Sequence, residues 1–262
     1  MGEIKTDAIV LRHVDFGESH RMLTLLSPTL GKLSVGARGC RKRGARLTNA
    51  TEVFCAGEYI LYQKQDKYTL RGCTIKDAFY DLRCDYDRLV EGARWLGIVE
   101  AVATPDQEQR LLFALLLRGL TYLNYSKQDV RRIALTFYMH FTRVCGFAPE
   151  LHRCTVCGEP IEPPMRLDLS GGGVCHAHCS HSGPELPPRT LEVLRGFSTL
   201  KFAALEGVTV DEVELKRAHN LMSQYIDVQV GKGRGGGTDS FFSGEKKEPK
   251  KSRLCLSPAI LA

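Results

Sequence analysis

The chain has 262 residues, 43% of them hydrophobic and 25% charged, with a net charge of +6. That length can bury more than one core, and the composition is that of a globular protein rather than a disordered one. The longest strongly apolar run, Leu111 to Leu117, is too short to span a bilayer, and residues 1–20 carry charges throughout, so no secretory leader is expected.

The first 80 residues read as β. "DAIVLRHV" and "RMLTLLSP" are short apolar-rich runs, and "GKLSVGARG" alternates after a turn. "EYILYQ" and "KYTLRGCTI" flank a short polar connector, the pattern of a hairpin. Five short strands of this kind predict a small barrel, and an OB-fold is the five-stranded barrel of that size. Between the third and fourth strands, residues 38–46, "RGCRKRGAR", hold five basic side chains and no acidic one. Such a segment suits a polyanion, although a solvated basic loop would look the same.

From Tyr80 the period lengthens to that of helices. Leu82, Tyr86, Leu89, Ala93, Leu96 and Val99 make one amphipathic stripe. "TPDQ" predicts a second helix capped by Thr104, with Pro105 at its first position and Gln107 closing a capping box. That helix, from Gln107 to Leu123, is apolar on much of its circumference and is expected to be central. A third spans about Asp129 to Val144, with His140 at the edge of its buried face. After a proline-rich joint, "GPELPPRT", come helices over about 190–199 and from Thr209, boxed with Glu212, to about Val228. Residues beyond 230 are rich in Gly, Lys and Ser, a composition expected to stay disordered.

With no leader expected, the ten cysteines are expected in a reducing cytoplasm, where close pairs favour metal over disulfides. Cys40, Cys55, Cys73, Cys84, Cys145 and Cys255 are scattered singly and read as small apolar residues. Cys154 and Cys157, followed by glycine, form a metal-binding turn, and "CHAHC" lies seventeen residues further on. Thiolates without a redox pattern favour Zn2+. Cys154, Cys157, Cys175 and Cys179 give an all-thiolate site with an extra residue in the second spacer; His178 in place of Cys179 restores the two-residue spacer. Thiolate is the stronger ligand, which favours Cys179. The chain contains no His-x-Glu, no phosphate-binding Gly-x-x-x-x-Gly-Lys-[Ser/Thr] loop and no Gly-x-Ser-x-Gly elbow. No catalytic residue is predicted, and the metal is expected to be structural.

Together, "FGESHRMLTLLSPTLGKLSVGARGCRKRGARL", "CGFAPELHRCTVCG" and "GGGVCHAHC" resemble the bacterial RecO family of recombination mediators, in family order and over roughly residues 1–230. The resemblance implies an α+β chain: a five-stranded OB-fold barrel (1–79), an α-helical domain (80–150 plus 186–230), an inserted zinc-binding module of the four-cysteine type (151–185) and a basic tail (231–262). It also implies a non-enzymatic function in DNA repair: binding single- and double-stranded DNA, annealing complementary strands, and displacing single-strand-binding protein so that RecA loads with the help of RecR. Localisation would be cytoplasmic, at the nucleoid. For DNA contact the expected residues are Arg38, Arg41, Lys42, Arg43 and Arg46, then Arg12, Arg21 and Lys32. Phe16, Tyr59, Tyr62 and Tyr68 are candidate stacking platforms. The family's groove for the tail of single-strand-binding protein points to Arg131 and Arg132. The alternative, from another class, is a zinc-ribbon module that binds protein or assists transcription, with an incidental basic loop. The family usually closes its metal site with Cys-x-x-Cys, a spacing that "CHAHC" departs from.

Overall fold

The computed structural model describes residues 2–232; the predicted disordered tail beyond them lies outside the described residues. Five strands open the chain: β1 (Gly2–Phe16), β2 (His20–Ser27), β3 (Gly31–Ala37), β4 (Ala56–Lys64) and β5 (Lys67–Asp77). They close into a barrel in the order β1-β2-β3-β5-β4, with β3 and β5 parallel and all other pairs antiparallel. This is the five-stranded OB arrangement predicted from the strand pattern. β1 makes closure possible by its length. Its first half, Gly2–Ile9, pairs with β4 and its second half with β2, with an irregularity between Val10 and Arg12 where the strand bends from one partner to the other.

The run "AIVL" in β1 is buried on both faces, which explains why it does not alternate. Ala8 and Val10 point into the barrel with Leu23, Leu25, Leu33, Val35 and Tyr59. Ile9 and Leu11 point outward into a second core shared with the helices. The barrel is thereby fixed to the helical part through apolar contact.

The helices are α1 (Tyr86–Val102), α2 (Arg110–Tyr125), α3 (Val130–Val144), α4 (Pro188–Thr199) and α5 (Glu212–Lys232). The central helix is α3, not α2 as its composition suggested. α3 packs on α1, α2, α4 and α5, and Ile133 through Met139 are buried without a break, whereas Leu111 on α2 is 72% exposed. Trp95 of α1 stacks on Phe137 of α3 at 4.0 Å. His140 sits at the core edge as predicted, its Nε2 2.8 Å from the Leu200 carbonyl.

Two predicted helix starts move. Thr104 and Pro105 do not begin α2, which starts at Arg110. The segment instead lies along the barrel: Lys32 N donates to Thr104 O at 3.0 Å, and Pro105 bridges to Gly31. Gly31 has φ +70°, and a Cβ there would meet Thr104 O at 2.3 Å, so only glycine permits this approach. α5 is capped by Asp211, which accepts from Val213 N (2.9 Å) and Glu214 N (3.1 Å), rather than by Thr209. On this helix Ala218, Leu221, Met222 and Tyr225 are buried, whereas Val213 in its first turn is 63% exposed.

Between α3 and α4 the chain forms a small module with a two-stranded sheet, β6 (Met165–Asp168) and β7 (Gly173–His176). Among the described residues, no helix is long and apolar enough to cross a membrane.

Candidate metal centre and nucleic-acid interface

The metal centre is built from a turn and a strand end. Cys154 N donates to Glu159 O (2.8 Å) and Ile161 N to His152 O (3.0 Å), a miniature hairpin whose tip is Cys154–Gly158. Gly158 takes φ +78° and donates to Cys154 O at 2.9 Å, closing the turn that brings the two sulfurs to one side. Opposite stands the end of β7. There the ligand atoms of Cys154, Cys157, His176 and Cys179 lie within 4.8 Å of one another.

This set differs from the expected one in one place. Cys175 and His178 stand outside the group, and His176 stands in it. The reason is strand alternation: successive residues of β7 face opposite sides, so the strand can aim either Cys175 or His176 at the turn. Cys175 is fully buried and does not belong to the group. With His176 the spacing becomes His-x-x-Cys, which restores the two-residue spacer that Cys175 to Cys179 lacked. His178 stacks on His176 with ring centroids 5.0 Å apart, outside the ligand group.

The surroundings prepare these atoms for a cation. His176 Nε2 lies 3.1 Å from Pro160 O, a group that only accepts, so Nε2 carries the proton and Nδ1 keeps its lone pair for a metal. Nδ1 is 3.4 Å from Cys157 Sγ and 3.7 Å from Cys179 Sγ. Desolvation opposes the Cys154 thiolate, but backbone N–H groups of Cys157, His176 and Val156 outweigh it and lower its pKa to about 6. Desolvation and then the neighbouring sulfurs of Cys157 and Cys154 push Cys179 up to about 11, so the cluster resists a second negative charge that no cation offsets. Three sulfurs and one imidazole at this spacing fit a tetrahedral ion.

The second site lies on the barrel. The loop after β3 is pinned at its base: Cys40 is buried, Gly39 N donates to His20 Nδ1 at 2.9 Å, and Thr48 Oγ1 donates to Cys40 O at 2.7 Å. Its outer side carries Arg38, Arg41, Lys42, Arg43 and Arg46, all exposed. Arg41 pairs with Asp15 at 3.3 Å. Arg38, Lys42, Arg43 and Arg46 have no carboxylate partner among the described residues.

The other expected cations are more occupied. Arg21 is only 12% exposed and bridges Asp15 (3.0 Å) and Glu52 (2.7 Å), so its charge is neutralised within the fold. Arg12 pairs with Glu100 at 3.1 Å, and Lys32 Nζ donates to the Glu100 carbonyl at 3.0 Å. On α3, Arg131 is half exposed beside Asp129 (3.9 Å), and Arg132 donates to Val208 O at 2.7 Å.

Next to the loop, a groove of about 690 Å³ crosses the β2–β3 face, lined among others by Phe16, His20, Met22, Arg38, Lys67 and Tyr68. Phe16 is 70% exposed there. A second cavity of about 570 Å³ adjoins it and includes Arg12 and Lys32. Of the four aromatic candidates, Phe16 and Tyr68 line the groove. Tyr59 is in the barrel core with its hydroxyl on Ala50 O (2.8 Å), and Tyr62 lies under the Arg71 guanidinium at 5.2 Å. Sequence reasoning missed His20, Met22 and Lys67. Alternation along β2 carried the signal for the first two, since they share the face opposite Leu23 and Leu25.

An OB barrel with a cationic, aromatic groove, packed through apolar contact on a helical bundle that carries a candidate metal module between α3 and α4, has the architecture of a nucleic-acid-handling class of protein. Two family models cover nearly all of the described chain: Recombination protein O N terminal over residues 1–79 and Recombination protein O C terminal over residues 83–236. The chain therefore belongs to the RecO family. It is 30% identical to the DNA repair protein RecO of Acetivibrio thermocellus over 68% of this chain and 71% of that one. It is 28% identical to the DNA repair protein RecO of Shouchella clausii over 87% and 90%. Identity to the DNA repair protein RecO of Heliobacterium modesticaldum is 31%, over 73% and 72%.

Proposed function

We propose that this chain is a non-enzymatic mediator of DNA repair. It binds single- and double-stranded DNA, anneals complementary strands, displaces single-strand-binding protein and, with RecR, helps load RecA in the cytoplasm at the nucleoid. The observation that carries this reading is the cationic loop at the edge of the aromatic groove. Annealing requires two strands with neutralised backbones and accessible bases, and it requires no bond to be made or broken. Lysine and arginine without internal partners supply the first by releasing counterions, and an open aromatic face supplies the second. The relatives' shared description as DNA repair proteins supports the same reading.

In this reading residues 1–79 hold DNA, the helical domain (80–150 plus 186–230) carries partner contacts, with Arg131 the freer of its two candidate arginines, and residues 151–185 form the metal-bearing insertion. The deciding experiment mixes purified protein with complementary oligonucleotides coated with single-strand-binding protein, with and without RecR and without nucleotide. Annealing that RecR modulates is expected; no annealing of coated or bare strands would end the proposal.

One Zn2+ held by Cys154, Cys157, His176 and Cys179 completes it. A four-ligand site leaves no open position for substrate, so the ion supplies cross-linking and not Lewis-acid chemistry. X-ray absorption on the zinc-loaded protein is expected to give three sulfurs and one nitrogen. Cys154→Ser combined with Cys157→Ser is expected to lower the melting temperature while annealing at low temperature persists. Unchanged melting with lost annealing would contradict the structural role.

A further inference from the structure

Ser34, Tyr68 and Asp66 line both cavities on the barrel face. Asp66 stands at the turn between β4 and β5, after Gln65 in the left-handed region (φ 53°), and is exposed at its tip. Its carboxylate makes no side-chain hydrogen bond or ion pair among the described residues. The other charged groups lining the larger groove are Arg21, Arg38 and Lys67. Desolvation raises the Tyr68 hydroxyl above its ordinary pKa, and the charges of Asp106 and Asp66 add to the rise.

A free carboxylate in such a groove opposes the phosphate backbone. It only accepts hydrogen bonds, so the groups of an unpaired strand that it can attract are the donors on base edges. Guanine offers two adjacent donors, N1–H and the 2-amino group, which match the two carboxylate oxygens. Cytosine and adenine offer one amino group each. Thymine offers one N–H between two carbonyls that the carboxylate repels. Splayed bases stacked on an aromatic ring present these edges outward.

We propose that Asp66 is a base-selecting residue: a base stacked on Tyr68 turns its pairing edge to the Asp66 carboxylate, and guanine is preferred. The inference rests on the reading of the barrel as a single-strand site.

The test is fluorescence anisotropy of the full chain with labelled thymine oligonucleotides of about fifteen nucleotides, long enough to fill one such barrel. Parallel strands carry guanine, or inosine, at every third position. The guanine strand is expected to bind about tenfold more tightly than the thymine strand, the scale of one bidentate base contact. Inosine, which lacks the 2-amino donor, should fall between them. Asp66→Ala should bind all three strands alike and should hold the thymine strand at least as tightly as the unaltered protein; circular dichroism confirms that the variant folds. Equal binding of the three strands by the unaltered protein would overturn the inference and leave the barrel reading standing. An Asp66→Ala protein that binds every strand more tightly by one common factor, with the preference kept, would also overturn it. Binding to none of the strands would remove both the barrel reading and this inference.

Discussion

Replacing Lys42, Arg43 and Arg46 with alanine is expected to weaken binding to single-stranded DNA about a hundredfold at 0.1 M salt. Each phosphate neutralised on a single strand contributes about 0.7 to the slope of log K against log salt, so three contribute about two units of slope and about two decades of affinity at that salt. The estimate applies to these three because they are exposed and have no carboxylate partner among the described residues. Arg21 is the control. Its guanidinium already joins Asp15 and Glu52 and donates to Thr51 Oγ1 at 2.9 Å, so Arg21→Ala should appear as a lower melting temperature and leave the salt slope nearly unchanged. A titration from 0.05 to 0.3 M salt separates the two effects. A triple variant with an unaltered slope would move DNA contact off the loop.

The difference between Arg21 and Lys42 shows what a sequence can and cannot reveal here. Both are basic residues in a β-rich, positively charged segment, and charge counting treats them alike. What separates them is the position of Asp15 and Glu52, which lie 6 and 31 residues from Arg21 along the chain. The barrel itself was legible, because strand alternation and turn residues are local signals. The start of α2 was not: a Thr-Pro-Asp-Gln segment caps helices in general, but here the backbone of residues 104–105 finds its partners on β3.

The metal centre falls between these cases. The Cys-x-x-Cys-Gly turn is local and was readable. The far ligands depended on the phase of a four-residue strand, and "CHAHC" offers plausible ligands in either phase. Two facts decide between them: β7 pairs Arg166 with Cys175 and Met165 with His176, and Pro160 O stands where it fixes the His176 tautomer. The His-x-x-Cys spacing from His176 to Cys179 stood in the sequence, but keeping Cys175 left only Cys179 and His178 to be weighed against each other, so His176 was missed.

The largest stability effect is expected at a residue that no motif marks. Glu91 of α1 is buried, with 7% of its surface exposed. Its Oε1 accepts from Trp95 Nε1 at 2.9 Å and from the Tyr138 hydroxyl of α3. His219 Nε2 of α5 lies 3.3 Å from its Oε2, close enough for an ion pair though off line for a hydrogen bond. Arg94 extends the cluster, donating to Tyr138 Oη at 2.9 Å and to Asp227 at 2.8 Å. One carboxylate thus joins three helices.

Burial alone would raise the Glu91 pKa, but His219, Tyr138 and Trp95 outweigh it and hold the group below its ordinary value of 4.5. A carboxyl depressed in the folded state stabilises the protein above its unfolded pKa, and that stability is lost as pH falls through the folded value. The contribution of Glu91 should therefore be constant from neutral pH down to about 4.5 and decline below it. Glu91→Ala leaves an indole N–H and a phenol without their shared acceptor and an imidazole without the charge it faces, and is expected to cost about 3–5 kcal/mol, the usual penalty for breaking a buried pair. For a chain of this size that lowers the melting temperature by roughly 10 °C. Glu91→Gln keeps an acceptor for Trp95 and Tyr138 but not the charge facing His219, so its loss should be smaller, and stability should no longer depend on this group below pH 4.5. Calorimetry of the two variants and the unaltered chain from pH 7 down to about pH 3 checks both points, and a Glu91→Ala protein that melts with the unaltered chain would show that the three helices are held by apolar packing alone.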